Sequence, residues 1–157
     1  VNPLRDTDSL YIPAESSAPR IYDGGVGVGE FSKPITGSTL LFPGQYVCTS
    51  GAATGVHCNI MITSTENIFF PPDGSFVDGV ALATEQAGAV ATGLGDSGGP
   101  VFTLAPDTGK AIAAGLMIGG MDDVPCTISG PARCFKSVAF VYIGYVLEAH
   151  DLRLLTQ

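Results

Sequence analysis

In a chain of 157 residues, the run Gly93-Leu94-Gly95-Asp96-Ser97-Gly98-Gly99-Pro100 combines the residue types that nucleophilic chemistry asks for. A serine hydroxyl is a poor nucleophile at neutral pH. It needs a base to take its proton, a carboxylate to orient that base, and donors aimed at the oxyanion that develops on attack. Here the glycines permit a tight turn in which the backbone N–H groups of Gly95 and Ser97 converge on one point, and they keep side chains out of a substrate's way. The alternative is a Gly-Asp-Ser-Gly-Gly turn that merely joins two strands. The complete GDSGGP match, with apolar Val101 and Phe102 following, favours the nucleophile.

The elements that must position such a loop follow from composition. The chain is 45% hydrophobic and 14% charged, with 21 glycines, 11 prolines and no tryptophan. That balance suits one domain of short strands and turns, so an all-β fold is expected. Apolar segments at STLLF, GQYVC, VHCNIMITS, NIFF, FVDGVALAT, PVFTL, AIAAGLMIGG and SVAFVYI are separated by Gly, Pro, Asp, Asn and Ser, as in a barrel or sandwich. SLYIP near the start reads as a further extended segment. From Phe140 to Leu155 the apolar residues recur at helical intervals, which predicts a C-terminal helix of about three turns packed on the barrel.

The formal net charge of -8 argues against a generic grip on nucleic acid. No apolar run approaches the roughly 18 to 20 residues that span a bilayer, so membrane insertion is not expected, and the opening VNPLRDTDS is unlike a signal peptide. No spacing implies a metal or organic cofactor; Asp122 and Asp123 read as a solvated loop pair. The four cysteines form two sequence-local pairs, and disulfides Cys48–Cys58 and Cys126–Cys134 are the expected connectivity of the three available. Zinc remains the other option for four cysteines, although its sites usually use Cys-x2-4-Cys knuckles. Two bridges point to an oxidising compartment, hence a secreted or extracytoplasmic protein.

GDSGGPVF resembles the nucleophile loop of the chymotrypsin-like serine peptidases, and VCTSGAATGVHCN resembles the disulfide-closed hairpin of their bacterial streptogrisin and α-lytic-protease branch. SVAFVYIGYVLEAHDLRLL is similar to that branch's last strand and terminal helix. The resemblance implies a chymotrypsin-like antiparallel β-barrel, the second barrel of a two-barrel fold, over residues 45–157. Residues 14–44 would be the interbarrel connection and first strands. Residues 1–13 would be the strand that ends the first barrel and carries the triad aspartate.

By the same resemblance, Ser97 is the nucleophile and the N–H groups of Gly95 and Ser97 form the oxyanion hole. Asp96 is the buried carboxylate that stabilises the loop. Its usual bacterial partner is an arginine, where this chain reads Cys48-Thr49-Ser50-Gly51. The segment Ala91-Thr92-Gly93-Leu94 and the strand Gly115-Leu116-Met117-Ile118-Gly119-Gly120 would wall a specificity pocket, and Ala91, Thr92, Met117 and Ile118 suit it to an uncharged side chain. Ile118 stands where the family commonly has a serine that hydrogen-bonds toward the triad. Asp8, in the register Asp8-Ser9-Leu10-Tyr11-Ile12, is the orienting carboxylate, with Asp6 as the alternative.

The base has no counterpart. Of the two histidines, His57 lies inside the Cys58 hairpin, where packing or surface hydrogen bonding is the expected role. His150 lies at the end of the terminal helix, where capping is expected. Two functions follow. One is a serine endopeptidase portion, cleaving peptides or proteins with a histidine from a companion N-terminal polypeptide that carries the first barrel. The other is an inactive peptidase-like barrel that binds a partner or serves a structural role.

Overall fold

The computed structural model describes residues 6–29 and 31–157, so Val1–Arg5 of the expected opening strand lie outside the described residues. Strands β1 Arg20–Tyr22, β2 Ser32–Ser38, β3 Tyr46–Gly51, β4 Gly55–Phe69 and β5 Val77–Glu85 are followed by β6 Thr92–Gly93, β7 Pro100–Leu104, β8 Ala111–Val124 and β9 Cys134–Tyr142. Helix α1, Ile143–Ala149, follows directly.

A closed ring forms from six of these strands. Hydrogen bonding runs antiparallel through β8, β7, β3, β4, β5 and β9 and returns to β8. Closure removes the unpaired edges that make an open sheet prone to association. Leu116 sits at the junction, paired with Pro100 on one side and Val141 on the other. Outside the ring, β2 lies parallel on β8 and β1 antiparallel on β2.

Val47, Ile60, Ile62, Val101, Val138 and Phe140 fill the barrel, each at most 2% exposed. Burying an aliphatic or aromatic side chain of this size contributes about 1.5–3 kcal/mol. Ala114 and Met117 of β8 belong to the same core, and Val101 enters it directly after the nucleophile loop. Beyond Leu116, β8 leaves β7 and carries a bulge: Met117 opposes Phe140 and Gly119 opposes Ala139, so Ile118 is the extra residue. A bulge re-aims the strand. In this one it turns residues 117–123 along the cavity beside Ser97.

Four expectations change. No strand forms between residues 6 and 13, because a strand needs a neighbour for its backbone groups; Leu10, Tyr11 and Ile12 are exposed at 82%, 51% and 74%. STLLF is also not a strand, and the polar SKPITGS pairs instead. VHCNIMITS and NIFF merge into β4, one strand of 15 residues.

The terminal helix is shorter than expected. Phe140 and Val141 are held in β9 by both β5 and β8, and Tyr142 by β8, so helix cannot begin before Ile143. It stops in a Schellman arrangement: Asp151 is left-handed (φ 51°), its N–H bonds to the Glu148 carbonyl, and the Leu152 N–H bonds to the Leu147 carbonyl at 2.8 Å. Seven residues have little helical stability alone, and packing of Ile143 and Val146 against Val77, Val80 and Ala139 supplies it.

Candidate functional site around Ser97

The turn between β3 and β4 and the loop between β6 and β7 meet at one carboxylate. Asp96 is 1% exposed. Its Oδ1 accepts the backbone N–H groups of Ala53 at 2.8 Å and Thr54 at 3.0 Å. Its Oδ2 accepts the Thr54 hydroxyl at 2.5 Å, the Gly93 N–H at 2.7 Å and the Thr92 hydroxyl at 3.3 Å. Burying a charge without partners is costly, and this set of amides and hydroxyls compensates it, with no cation bonded to it among the described residues. Thr49 occupies the stretch where the bacterial resemblance places an arginine. Its hydroxyl turns away and donates to the Ala91 carbonyl at 2.7 Å.

Anchored there, the loop has little freedom. The Asp96 carbonyl accepts the Gly99 N–H at 2.9 Å, Gly98 donates to the Met117 carbonyl at 2.8 Å, and Met117 donates back to Gly99 at 2.9 Å. Gly95 (φ 103°) and Gly98 (φ 82°) are in backbone regions that favour glycine, which the tight reversal around Ser97 requires. The result is an exposed Ser97 whose hydroxyl has no hydrogen-bond partner among the described residues. The N–H groups of Gly95 and Ser97 likewise donate to no acceptor among them.

Ser97 lines two cavities. One, about 440 Å³, lies between the loop and Tyr22, Ser50 and Gly51. The other, about 410 Å³, is lined by Thr92, Met117, Ile118, Gly119 and Gly120, all expected from the sequence. Ala91 is not part of it: fully buried, it packs in the barrel interior. Gly93 and Leu94, from the expected segment, line it as well, and Phe135 is an added wall. Phe135 explains Gly120, where a Cβ would lie 2.2 Å from the ring. A sequence reading could have found Phe135 only through its place beside Cys134 in the second disulfide.

Both disulfides, Cys48–Cys58 and Cys126–Cys134, have the expected pairing. Asp122 and Asp123 are not a loop pair. They lie in β8, where Asp122 accepts the Ser137 hydroxyl at 2.7 Å and Asp123 forms an ion pair with Arg133. The Asp123 carboxyl is held below its ordinary range by that guanidinium. Arg133 also stacks over Phe135, 5.1 Å from the ring centre.

Asp8 lines the 410 Å³ cavity together with Ser97. Asp6 is not among that cavity's lining residues, and its Oδ1 accepts the Asp8 N–H at 3.2 Å. Neither histidine bonds to Ser97. His57 pairs across the hairpin with Thr49, and its Nε2 is buried without a partner among the described residues. His150 does not cap carbonyls with its ring; its Nε2 lies 2.8 Å from the Ser9 hydroxyl.

No family model and no curated protein matches the chain. Among solved structures, Thermobifida fusca protease A is 29% identical with a TM-score of 0.63, over 89% of this chain and 62% of that protein. Cellulomonas bogoriensis chymotrypsin is 26% identical with a TM-score of 0.61, over 89% and 63%. A glutamic acid specific serine protease, described as using a histidine triad in substrate binding, reaches 0.66 at 21% identity over 92% and 64%, and supports the fold alone. The chain spans less than two thirds of the length of each. Its fold is the chymotrypsin-like antiparallel β-barrel with a C-terminal helix, and the proteins it resembles in three dimensions are bacterial serine proteases.

Proposed function

We propose that this chain carries the nucleophile, oxyanion and specificity elements of a secreted serine endopeptidase. The observation that supports this most is the Asp96 cradle: it fixes the loop from beneath and leaves the Ser97 hydroxyl and two backbone N–H groups uncommitted at the surface. In the reaction, Ser97 Oγ attacks the scissile carbonyl carbon and gives its proton to a histidine supplied from outside these 157 residues, by a companion N-terminal polypeptide. The Gly95 and Ser97 N–H groups receive the oxyanion. Asp8 orients the imidazole, and the imidazolium protonates the leaving amine. Water then releases the acyl group from Ser97.

The side chain preceding the scissile bond enters the cavity walled by Leu94, Met117, Ile118 and Phe135. These four walls are apolar and Arg133 is paired with Asp123, which supports an uncharged, apolar residue at that end; Asp8 and Asp122, which also line the cavity, add carboxylates that disfavour an acidic one.

One observation favours the other function, a non-catalytic barrel: neither histidine of the chain is bonded to Ser97. Fluorophosphonate labelling with non-reducing intact-mass analysis of natively purified protein separates the two. Probe on Ser97 together with a second polypeptide supports the peptidase; a single unlabelled species of this chain overturns it in favour of the binding module.

A further inference from the structure

The segment that holds Asp8 belongs to no strand, yet it is tied down on both sides of that residue. The Asp6 carbonyl accepts the N–H of Asp78 in β5 at 3.2 Å. Thr7 is 5% exposed, and its hydroxyl lies 2.7 Å from that of Ser9. The Ser9 hydroxyl in turn lies 2.8 Å from His150 Nε2, contributed by the last turn of the molecule from 141 residues away. Because a hydroxyl both donates and accepts, the Thr7–Ser9–His150 chain closes with either tautomer of the ring. Past Ser9 the chain is released: Leu10 is 82% exposed.

Between these ties Asp8 has φ 45°, a left-handed backbone that aspartate tolerates better than most residues but that surrounding structure must hold. Asp8 is part of the wall of the cavity that Ser97 also lines. His150 itself is placed rigidly. It is the C-cap of α1, its own N–H bonded to the Val146 carbonyl and the Schellman bonds closing just beyond it.

We propose that His150 is a positioning residue for Asp8: by holding Ser9 it fixes the residue before it, so that the Asp8 carboxylate faces the groove it shares with Ser97. The proposal rests on the reading of Asp8 as the orienting carboxylate of a peptidase. It gives the terminal helix a part in the site although no residue of α1 lines the cavity.

The test uses natively purified protein and four variants: His150→Ala, His150→Gln, Ser9→Ala and Asp8→Asn. Hydrogen exchange of the Asp78 amide, which bonds the Asp6 carbonyl, reports the docking of the segment. It is expected to speed up about tenfold in His150→Ala and Ser9→Ala and to recover in His150→Gln, whose amide can still bond Ser9. The maximal rate of fluorophosphonate labelling at Ser97 should fall about 10- to 100-fold in His150→Ala with the half-saturating probe concentration unchanged, as for a displaced catalytic group. In Asp8→Asn it should fall up to about 10⁴-fold.

Loss in Asp8→Asn with a wild-type rate in His150→Ala overturns the positioning role and leaves the Asp8 reading standing. A wild-type rate in Asp8→Asn, or no labelling of the unmodified protein, overturns the underlying reading and the proposal with it. Partial loss in His150→Ala that His150→Gln restores, with matching Asp78 exchange, supports it.

Discussion

Gly51 and Asp96 are in such close contact that a Cβ on Gly51 would lie 2.1 Å from the Asp96 carboxyl carbon. The end of β3 thus forms the floor on which the nucleophile loop's carboxylate rests. Gly51→Ala forces that carboxylate off at least some of its donors. A destabilisation of about 1–3 kcal/mol is expected, the range for overpacking a close-packed site. Urea unfolding should show a lower midpoint with unchanged slope; a wild-type midpoint would mean the carboxylate has room to move.

Removing the carboxylate should be worse than crowding it. Asp96→Ala strands the N–H groups of Ala53, Thr54 and Gly93, which the structure pairs with nothing else at that point. Each buried donor left unsatisfied costs about 1–3 kcal/mol, so a loss of about 3–5 kcal/mol is expected, near the upper end for single substitutions. Asp96→Asn keeps one acceptor oxygen and should fall between Ala and wild type. The readout is chemical denaturation, with amide exchange at Ala53 and Thr54 showing where the opening occurs.

Ser97→Ala provides the contrast. The hydroxyl is exposed and bonded to nothing among the described residues, so stability should stay within about 0.5 kcal/mol of wild type. Fluorophosphonate labelling, if Ser97 is the nucleophile, should disappear completely. A variant that still takes the probe would place the nucleophile elsewhere.

Stability should decline in mild acid because of His57. Burial holds its imidazole below the ordinary histidine range, while a hydrogen bond to Thr54 and the charges of Asp96 and Glu85 raise it part of the way back. An unfolded imidazole binds its proton near pH 6.5, whereas the folded one resists until lower pH. Between those points the unfolded state holds more protons, so stability falls as pH falls below about 6.5. Glu85 extends the decline. Burial raises its carboxyl, but the N–H of Ala89, the Asn59 amide and the N–H of Ala87 outweigh this and hold it below the ordinary range. Its contribution is present above the unfolded carboxyl pKa and is lost as pH falls through the folded one. Melting temperature against pH should therefore be flat above neutrality and drop in two overlapping limbs, of which His57→Gln removes the upper.

Parts of this site could be read from residue types alone. Ser97, Gly95 and Gly98 stand in one short run, and the chemistry of a nucleophile turn restricts what can occupy it. The disulfides were readable because each pair is local, with separations of 10 and 8 residues. The strands of the barrel followed from alternating apolar residues. The terminal helix was placed correctly but made too long, since Phe140–Tyr142 satisfy a helical and a strand pattern equally, and only the ladders to β5 and β8 decide between them.

The sequence by itself determined that a serine in a glycine turn sits on an all-β scaffold stapled by two bridges, because those features depend on residue identity and near neighbours. The tertiary structure alone decided what hydrogen-bonds the buried Asp96 carboxylate. The donors are mostly backbone N–H groups, which every residue but proline has and which therefore leave no mark in a sequence; the fold selects Ala53 and Thr54 by bringing them across about forty residues to the carboxylate. The bond from His150 to Ser9 is of the same kind, spanning 141 residues. Only barrel closure and helix docking bring such distant groups within hydrogen-bonding reach.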